Sequence, residues 1–179
     1  MIGEYRGKSP VIGKNVFVAE SAAVIGDTEV GDCSSVWHQA AIRGDVWRIR
    51  IGSYTNIQDC CVLHVTTGGP DLAIGNYVTV GHGAILHSCT IEDACLIGMG
   101  ATILDGAKIG TGSIVAAGSV VLENTVVPPH SLVAGVPAAV KKELGEKSKD
   151  QLIKQAVHYH EVAMDYLKLG TSGKGAHER

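Results

Sequence analysis

The chain has 179 residues, with 15 Lys and Arg against 18 Asp and Glu, a formal net charge of −3. One domain of that length can bury a real core, the near-neutral balance leaves no basic stripe for nucleic acid, and no apolar run approaches the ~20 residues of a membrane span. Only 4 % of residues are aromatic while 45 % are hydrophobic, so Val, Ile, Leu and Ala must fill the core in layers too thin for large rings.

From Met1 to Pro10 there is no apolar leader, and a cytoplasmic location is expected. A repeat then takes over the chain. An aliphatic residue recurs every six positions at Ile12, Val18, Val24, Val30, Val36 and Ile42, again at Ile51, Ile57 and Leu63, again at Ile74, Val80 and Leu86, and finally from Ile91 to Val121. A small or β-branched residue follows four places later in most hexads, as at Ala22, Thr28, Ser34 and Ala40. A helix would show a 3.6-residue period, and a flat amphipathic sheet plain alternation. A six-residue beat instead predicts one short strand and one corner per hexad, with the aliphatic residue pointing inward. Eighteen hexads at three per coil predict a mainly β fold, a parallel β-helix of triangular section with about six coils.

Past Val121 the segment Val126–Val140, with Pro128, Pro129 and Pro137, reads as an exit loop. A helix is predicted from about Ser148 to Leu169, opened by a Ser148/Gln151 capping box and closed by Gly170. Its apolar stripe, Leu152, Ala156, Tyr159, Ala163, Tyr166 and Leu167, should pack on the β-helix. The expected organisation is therefore a repeat domain over 1–140, a packed helix over 141–170 and a tail over 171–179.

The hexad register breaks after Ile42, after Leu63 and between Leu86 and Ile91. Residues inserted in a solenoid leave the coil as loops, where function concentrates. His64 and His87 directly follow Leu63 and Leu86, which lie three hexads or one coil apart, so the two rings should stack about one strand spacing (~4.8 Å) apart. Two imidazoles that close can share a metal ion through bonds of ~2.0–2.1 Å. His82 falls on a different part of the coil and should not easily reach that ion within one chain, whereas across a threefold interface it could meet His64 and His87 of a neighbouring subunit. Arg43 shares the column of His64 and His87, whereas Asp59 shares that of His82, and the two columns suggest a self-assembling ring with Arg43 and Asp59 paired across it. His38, His130, His158, His160 and His177 show no partner pattern and are expected at the surface. The cysteines Cys33, Cys60, Cys61, Cys89 and Cys95 lack CxxC spacing and read as reduced thiols, Cys61 and Cys95 in the core and Cys60 and Cys89 toward the surface.

The ordered segments Arg43-Gly44-Asp45, Asn56-Ile57-Gln58-Asp59, Leu63-His64, Gly81-His82 and Leu86-His87, closed by Ala134-Gly135-Val136-Pro137-Ala138, resemble the γ-class carbonic anhydrase family. The resemblance covers roughly Ile12 to Val140. It implies a left-handed β-helix, a homotrimer with its sites between subunits, and reversible hydration of carbon dioxide to bicarbonate by a metal-bound hydroxide. Carried over residue by residue, it implies His64, His82 and His87 as ligands of zinc, with iron or cobalt also accepted by three imidazoles. It further implies Arg43, Asp45, Asn56, Gln58 and Asp59 as polar assistants, with Gln58 near the metal-bound water and Tyr159 lining the site. The family's founding type carries a proton-shuttling Glu after the first His and a second Glu after the Asp. Here the loop Thr66–Asp71 holds no Glu and Val46 follows Asp45, so weak, buffer-assisted activity is expected. Two alternatives share the same repeat: an acyl-CoA-dependent acyltransferase with a lone His as base, and a non-catalytic metal-binding trimer.

Overall fold

Most six-residue beats form one two- or three-residue strand followed by a corner, and the strands of the beat pair in parallel with their counterparts one coil away. The computed structural model describes residues 1–170; the tail expected over 171–179, His177 included, lies outside the described residues. Three ladders result. The first face stacks Val24, Ile42, Leu63, Leu86, Ile103 and Val121. The second runs from Ile12 through Val30, Ile51, Ile74, Ile91 and Ile109 to Val127. The third runs from Val18 through Val36, Ile57, Val80, Ile97 and Val115 to Val133. Apart from Ile12, which is half-buried at the open first turn, these residues form a single continuous buried core. The protein is a mainly β parallel solenoid with one C-terminal helix, an architecture consistent with a left-handed β-helix.

The solenoid has about seven turns, one more than the six expected. Val126–Val127 and Ser131–Ala134, within the segment expected to be an exit loop, add a rung to the second and third faces. The six-residue beat in fact continues through Val127 and Val133. Pro128 and Pro129 occupy the corner between those strands, where a missing N–H removes no ladder bond. Ala139–Glu143 then runs antiparallel along Ser131–Ala134 and covers the open edge of the third face.

The register breaks also have physical forms. After Ile42 the strand Ala41–Ile51 spans two faces, and its pairing shifts so that Asp45–Arg48 bulges outward between the Gly26–Gly44 and Thr28–Ile49 pairs. The bulge needs Gly44, where an added Cβ would lie 2.7 Å from the Asp27 carbonyl oxygen. After Leu63 the extra residues form the 66–71 loop. Between Leu86 and Ile91 one residue is missing, and this moves Cys89 into the small inward position two places before Ile91. Cys89 is accordingly buried rather than near the surface, like Cys61 and Cys95. No disulfide links the five cysteines, and of them only Cys60 is exposed. Burial pushes the thiols of Cys89 and Cys95 up to about 12 and that of Cys61 up to about 11.

The helix spans Lys147–Lys168 and lies against the third face. The capping box does not form. The helix begins one residue early, with Glu146 at the cap, so the Ser148 hydroxyl donates instead to the Gly145 carbonyl at 2.8 Å. Gly170 takes positive φ beyond the helix end, as expected. Leu152, Ala156 and Ala163 are buried. The aromatic rings excluded from the thin core collect at the seam instead: Trp37 lies 5.1 Å from Phe17, 5.2 Å from Tyr166 and 6.0 Å from Tyr159, centroid to centroid. That seam also takes His38, against Tyr166 at 6.2 Å, and His160 meets Tyr54 edge-on at 5.2 Å. His130 is half-buried too, so of these expected surface histidines only His158 is fully exposed. No described helix is long and apolar enough to cross a membrane.

Candidate metal centre

The solenoid places the candidate residues in two groups, one at each edge of the first face. At the edge leaving that face, the strands Val62–His64 and Ile85–His87 pair in register, with His64 opposite His87. The rings come within 3.2 Å, His64 Nδ1 to His87 Nε2. On their far sides both rings meet carboxylates: His64 Nε2 lies 3.1 Å from Asp45 Oδ1, and His87 Nδ1 lies 2.6 Å from Asp105 Oδ1. Arg43 stands one coil below His64 and donates to the other oxygen of Asp45. Partial burial pushes Asp45 upward, but the Arg43 guanidinium and the His64 ring outweigh it and hold the carboxyl below the usual range. Asp105 is likewise lowered, by Thr66 and His87 against the upward push of burial.

This donor set fits a divalent metal. A neutral imidazole has one N–H, and a carboxylate attracts it. With the outer nitrogens donating to Asp45 and Asp105, the two inner nitrogens face each other as bare lone pairs. Two acceptors at 3.2 Å repel, and a cation bonded to both at ~2.0–2.1 Å removes the repulsion. Carboxylates behind ligating histidines are the usual means of fixing the ring and its tautomer.

At the opposite edge of the first face stand Asn56, Gln58, Asp59, His82 and Tyr159. His82 Nδ1 lies 2.8 Å from Asp59 Oδ2. Gln58 is buried, its carbonyl accepting from the His82 backbone N–H at 3.2 Å and its amide donating to Asn56 at 3.1 Å. Asn56 in turn donates to the Thr79 hydroxyl at 2.9 Å. This amide chain leaves Gln58 one N–H to offer. Gly81, just before His82, lets the following coil pack close, since a Cβ there would lie 2.8 Å from the Met99 nitrogen. Tyr159 lines a cavity of about 360 Å³ together with Gln58 and His82. Burial, then the Asp59 carboxylate, pushes its phenol above the usual value, so it stays protonated.

One chain does not bring the two groups together. Five residues separate His82 from His87, a span of up to ~16 Å at ~3.3 Å per residue. Among the described residues, no three His, Cys, Asp or Glu side chains gather where they could hold one ion. Arg43 and Asp59, expected to pair between subunits, each have a partner in their own chain, Asp45 and His82 respectively. Asp105 was missed by motif, yet register could have found it. Ile103 pairs with Leu86, which puts Asp105 one coil above the His87 corner.

The fold and its register define the class, a hexapeptide-repeat β-solenoid. Residues 88–123 match the repeat family described as "Bacterial transferase hexapeptide (six repeats)". A solved structure, a hexapeptide transferase family protein from Anaplasma phagocytophilum, superposes with a TM-score of 0.88 at 37 % identity, covering 93 % of this chain and 98 % of that one. Within the class the chain belongs to the γ-class carbonic anhydrase family, which are lyases. It is 59 % identical over 149 residues to the "Probable carbonic anhydrase" of Methanocaldococcus jannaschii, 83 % of this chain and 93 % of that protein. It is 44 % identical over 168 residues to the mitochondrial gamma carbonic anhydrase 2 of Arabidopsis thaliana, 90 % of this chain and 58 % of the plant protein.

Proposed function

We propose that this protein hydrates carbon dioxide reversibly to bicarbonate and a proton, at a metal held between subunits by His64 and His87 of one chain and His82 of the next. The observation that carries this is the facing pair of imidazole nitrogens, each ring backed by a carboxylate, with the third histidine at the opposite edge of the same face. Zinc is the metal we infer, iron and cobalt being acceptable to the same donors. When bound, such an ion is a Lewis acid that brings the ionisation of water down to about pH 7.

The chain's own groups supply the rest. Asp45 and Asp105 hold the two rings with lone pairs inward. Gln58 fixes His82 through its backbone N–H and directs its remaining amide hydrogen toward the reacting oxygen. Tyr159 adds a protonated phenol as a second donor. Arg43, neutralised by Asp45, completes the wall. The proton released must leave, and the 66–71 loop offers no Glu to take it. External buffer is therefore the acceptor.

A homotrimer is the assembly we infer. An edge-to-edge contact between unlike surfaces closes into a ring when the rotation permits. The outer side of the first face, between the two half-sites, presents neighbouring Val62 and Ile85, each 42 % exposed. Such an apolar strip is suited to burial against another copy. A soluble, cytoplasmic protein without nucleic-acid or membrane partners suits this reading.

Stopped-flow hydration with a pH indicator tests the proposal. Zinc- or cobalt-loaded protein should be active between pH 7 and 9, with a rate that rises with imidazole buffer concentration, and His64→Ala should lose both metal and rate. Metal-replete protein that is inactive at every buffer concentration would leave the metal-binding scaffold. Acyl transfer from acetyl coenzyme A without metal would favour the transferase chemistry named for the Anaplasma phagocytophilum relative.

A further inference from the structure

Asp105 joins three successive coils at one corner. Its Oδ1 accepts from His87 Nδ1 at 2.6 Å, and its Oδ2 accepts from the Thr66 hydroxyl at 2.6 Å. Further hydrogen bonds, through the backbone and the Ser88 hydroxyl, tie the same coils together. Thr66 N–H donates to the Ser88 hydroxyl at 2.8 Å, Ser88 N–H to the His64 carbonyl at 3.1 Å, and Gly106 N–H to the Ser88 carbonyl at 2.8 Å. Ser88 is fully buried, so the corner that carries both facing imidazoles rests on a rigid inner strut.

We propose that Asp105 is a positioning residue of the metal centre, holding His87 in the tautomer that leaves Nε2 bare and anchoring Thr66, the first residue of the 66–71 loop, over the same site. The inference rests on the metal-centre reading above and deepens it. The two carboxylates behind the rings are not equivalent. Asp45 divides its charge between His64 and the Arg43 guanidinium. Among the described residues no Lys or Arg pairs with Asp105, whose side-chain partners are the His87 ring and the Thr66 hydroxyl. A carboxylate unshared with a cation accepts more strongly, so it raises the basicity of the ligand it backs. Its second arm gives the loop a fixed origin, because a hydroxyl bonded to a carboxylate at 2.6 Å is a strong, charge-assisted contact.

Cobalt titration of the metal-stripped oligomer tests this without an activity readout. Affinity is taken from competition with a chelator, and ligand geometry from the visible absorption of the bound cobalt. Asp105→Ala should weaken cobalt binding about 10- to 100-fold, the usual cost of removing such a partner, and alter the cobalt spectrum. Asp105→Asn keeps an oxygen that can accept from His87 and should recover part of the affinity. It also keeps the test open should the Ala variant fail to fold. Thr66→Val should leave affinity within a fewfold of the parent, while the 66–71 loop becomes cleavable by protease. Asp105→Ala with the affinity and spectrum of the parent would overturn the proposal and leave the metal centre standing. A parent protein that binds no cobalt would overturn the metal centre itself.

Discussion

His64 and His87 show how much a single register decides. Both follow an inward aliphatic residue, and the parallel ladder sets their rings 3.2 Å apart without any long-range search by the chain. Gln58 acts at the other half-site, where its buried amide fixes His82. Gln58→Ala should still bind cobalt in the assembled protein but hydrate carbon dioxide about 10²-fold more slowly, the usual cost of one lost donor to a developing charge; loss of metal instead would make Gln58 purely structural. Away from the site, Asp27 accepts from Arg50 at 2.7 Å and pairs with Lys8 at 3.5 Å. Burial raises its pKa, but these cations more than offset that and hold it below the usual range. A depressed carboxyl stabilises the fold above its unfolded pKa of ~3.9 and loses that contribution as pH falls through the folded value. Asp27→Asn should therefore cost about 1 kcal/mol at neutral pH, seen in thermal melts, with the gap to the parent closing as pH falls below the usual carboxylate range. A gap that persists there would point to packing rather than charge.

Among the elements, the helix seam carries the aromatic rings that the repeat cannot house. Trp37 touches Phe17, Tyr159 and Tyr166 at once and is only 5 % exposed. Trp37→Ala should destabilise the protein by about 3–5 kcal/mol, read from denaturant midpoints; a loss below ~1 kcal/mol would show that the helix packs independently of the seam. The strands were legible in the sequence because each hexad encodes its own inward residue, so pairing and the stacking of His64 on His87 followed by counting. What counting missed has physical causes. Val127 and Val133 keep the beat, but the prolines at 128 and 129 resemble a loop until one sees that they occupy a corner. The missing residue before Ile91 hid the inward position of Cys89. Ser148 lies one residue inside the helix, where its hydroxyl turns back to Gly145. Asp105 belongs to no motif, and only its height above His87 marks it.

For the whole molecule, the central claim is that neither edge of the first face is a site alone. In the proposed centre His64 and His87 on one edge are joined by His82 from the edge of another copy, and the apolar Val62–Ile85 strip lies between the edges where a neighbour would seat. Complementation tests this most directly. His64→Ala and His82→Ala chains should each bind cobalt poorly by themselves. Co-expressed, they form mixed rings in which one junction joins an intact His82 to an intact His64–His87 pair. In a mixed trimer that is one site of three, so mixed trimers purified away from the unmixed ones should recover cobalt binding to about one third of the parent's occupancy, with the parent's absorption spectrum. Mixed oligomers with no recovery, or a His82→Ala protein that binds a full complement alone, would contradict a centre shared between chains.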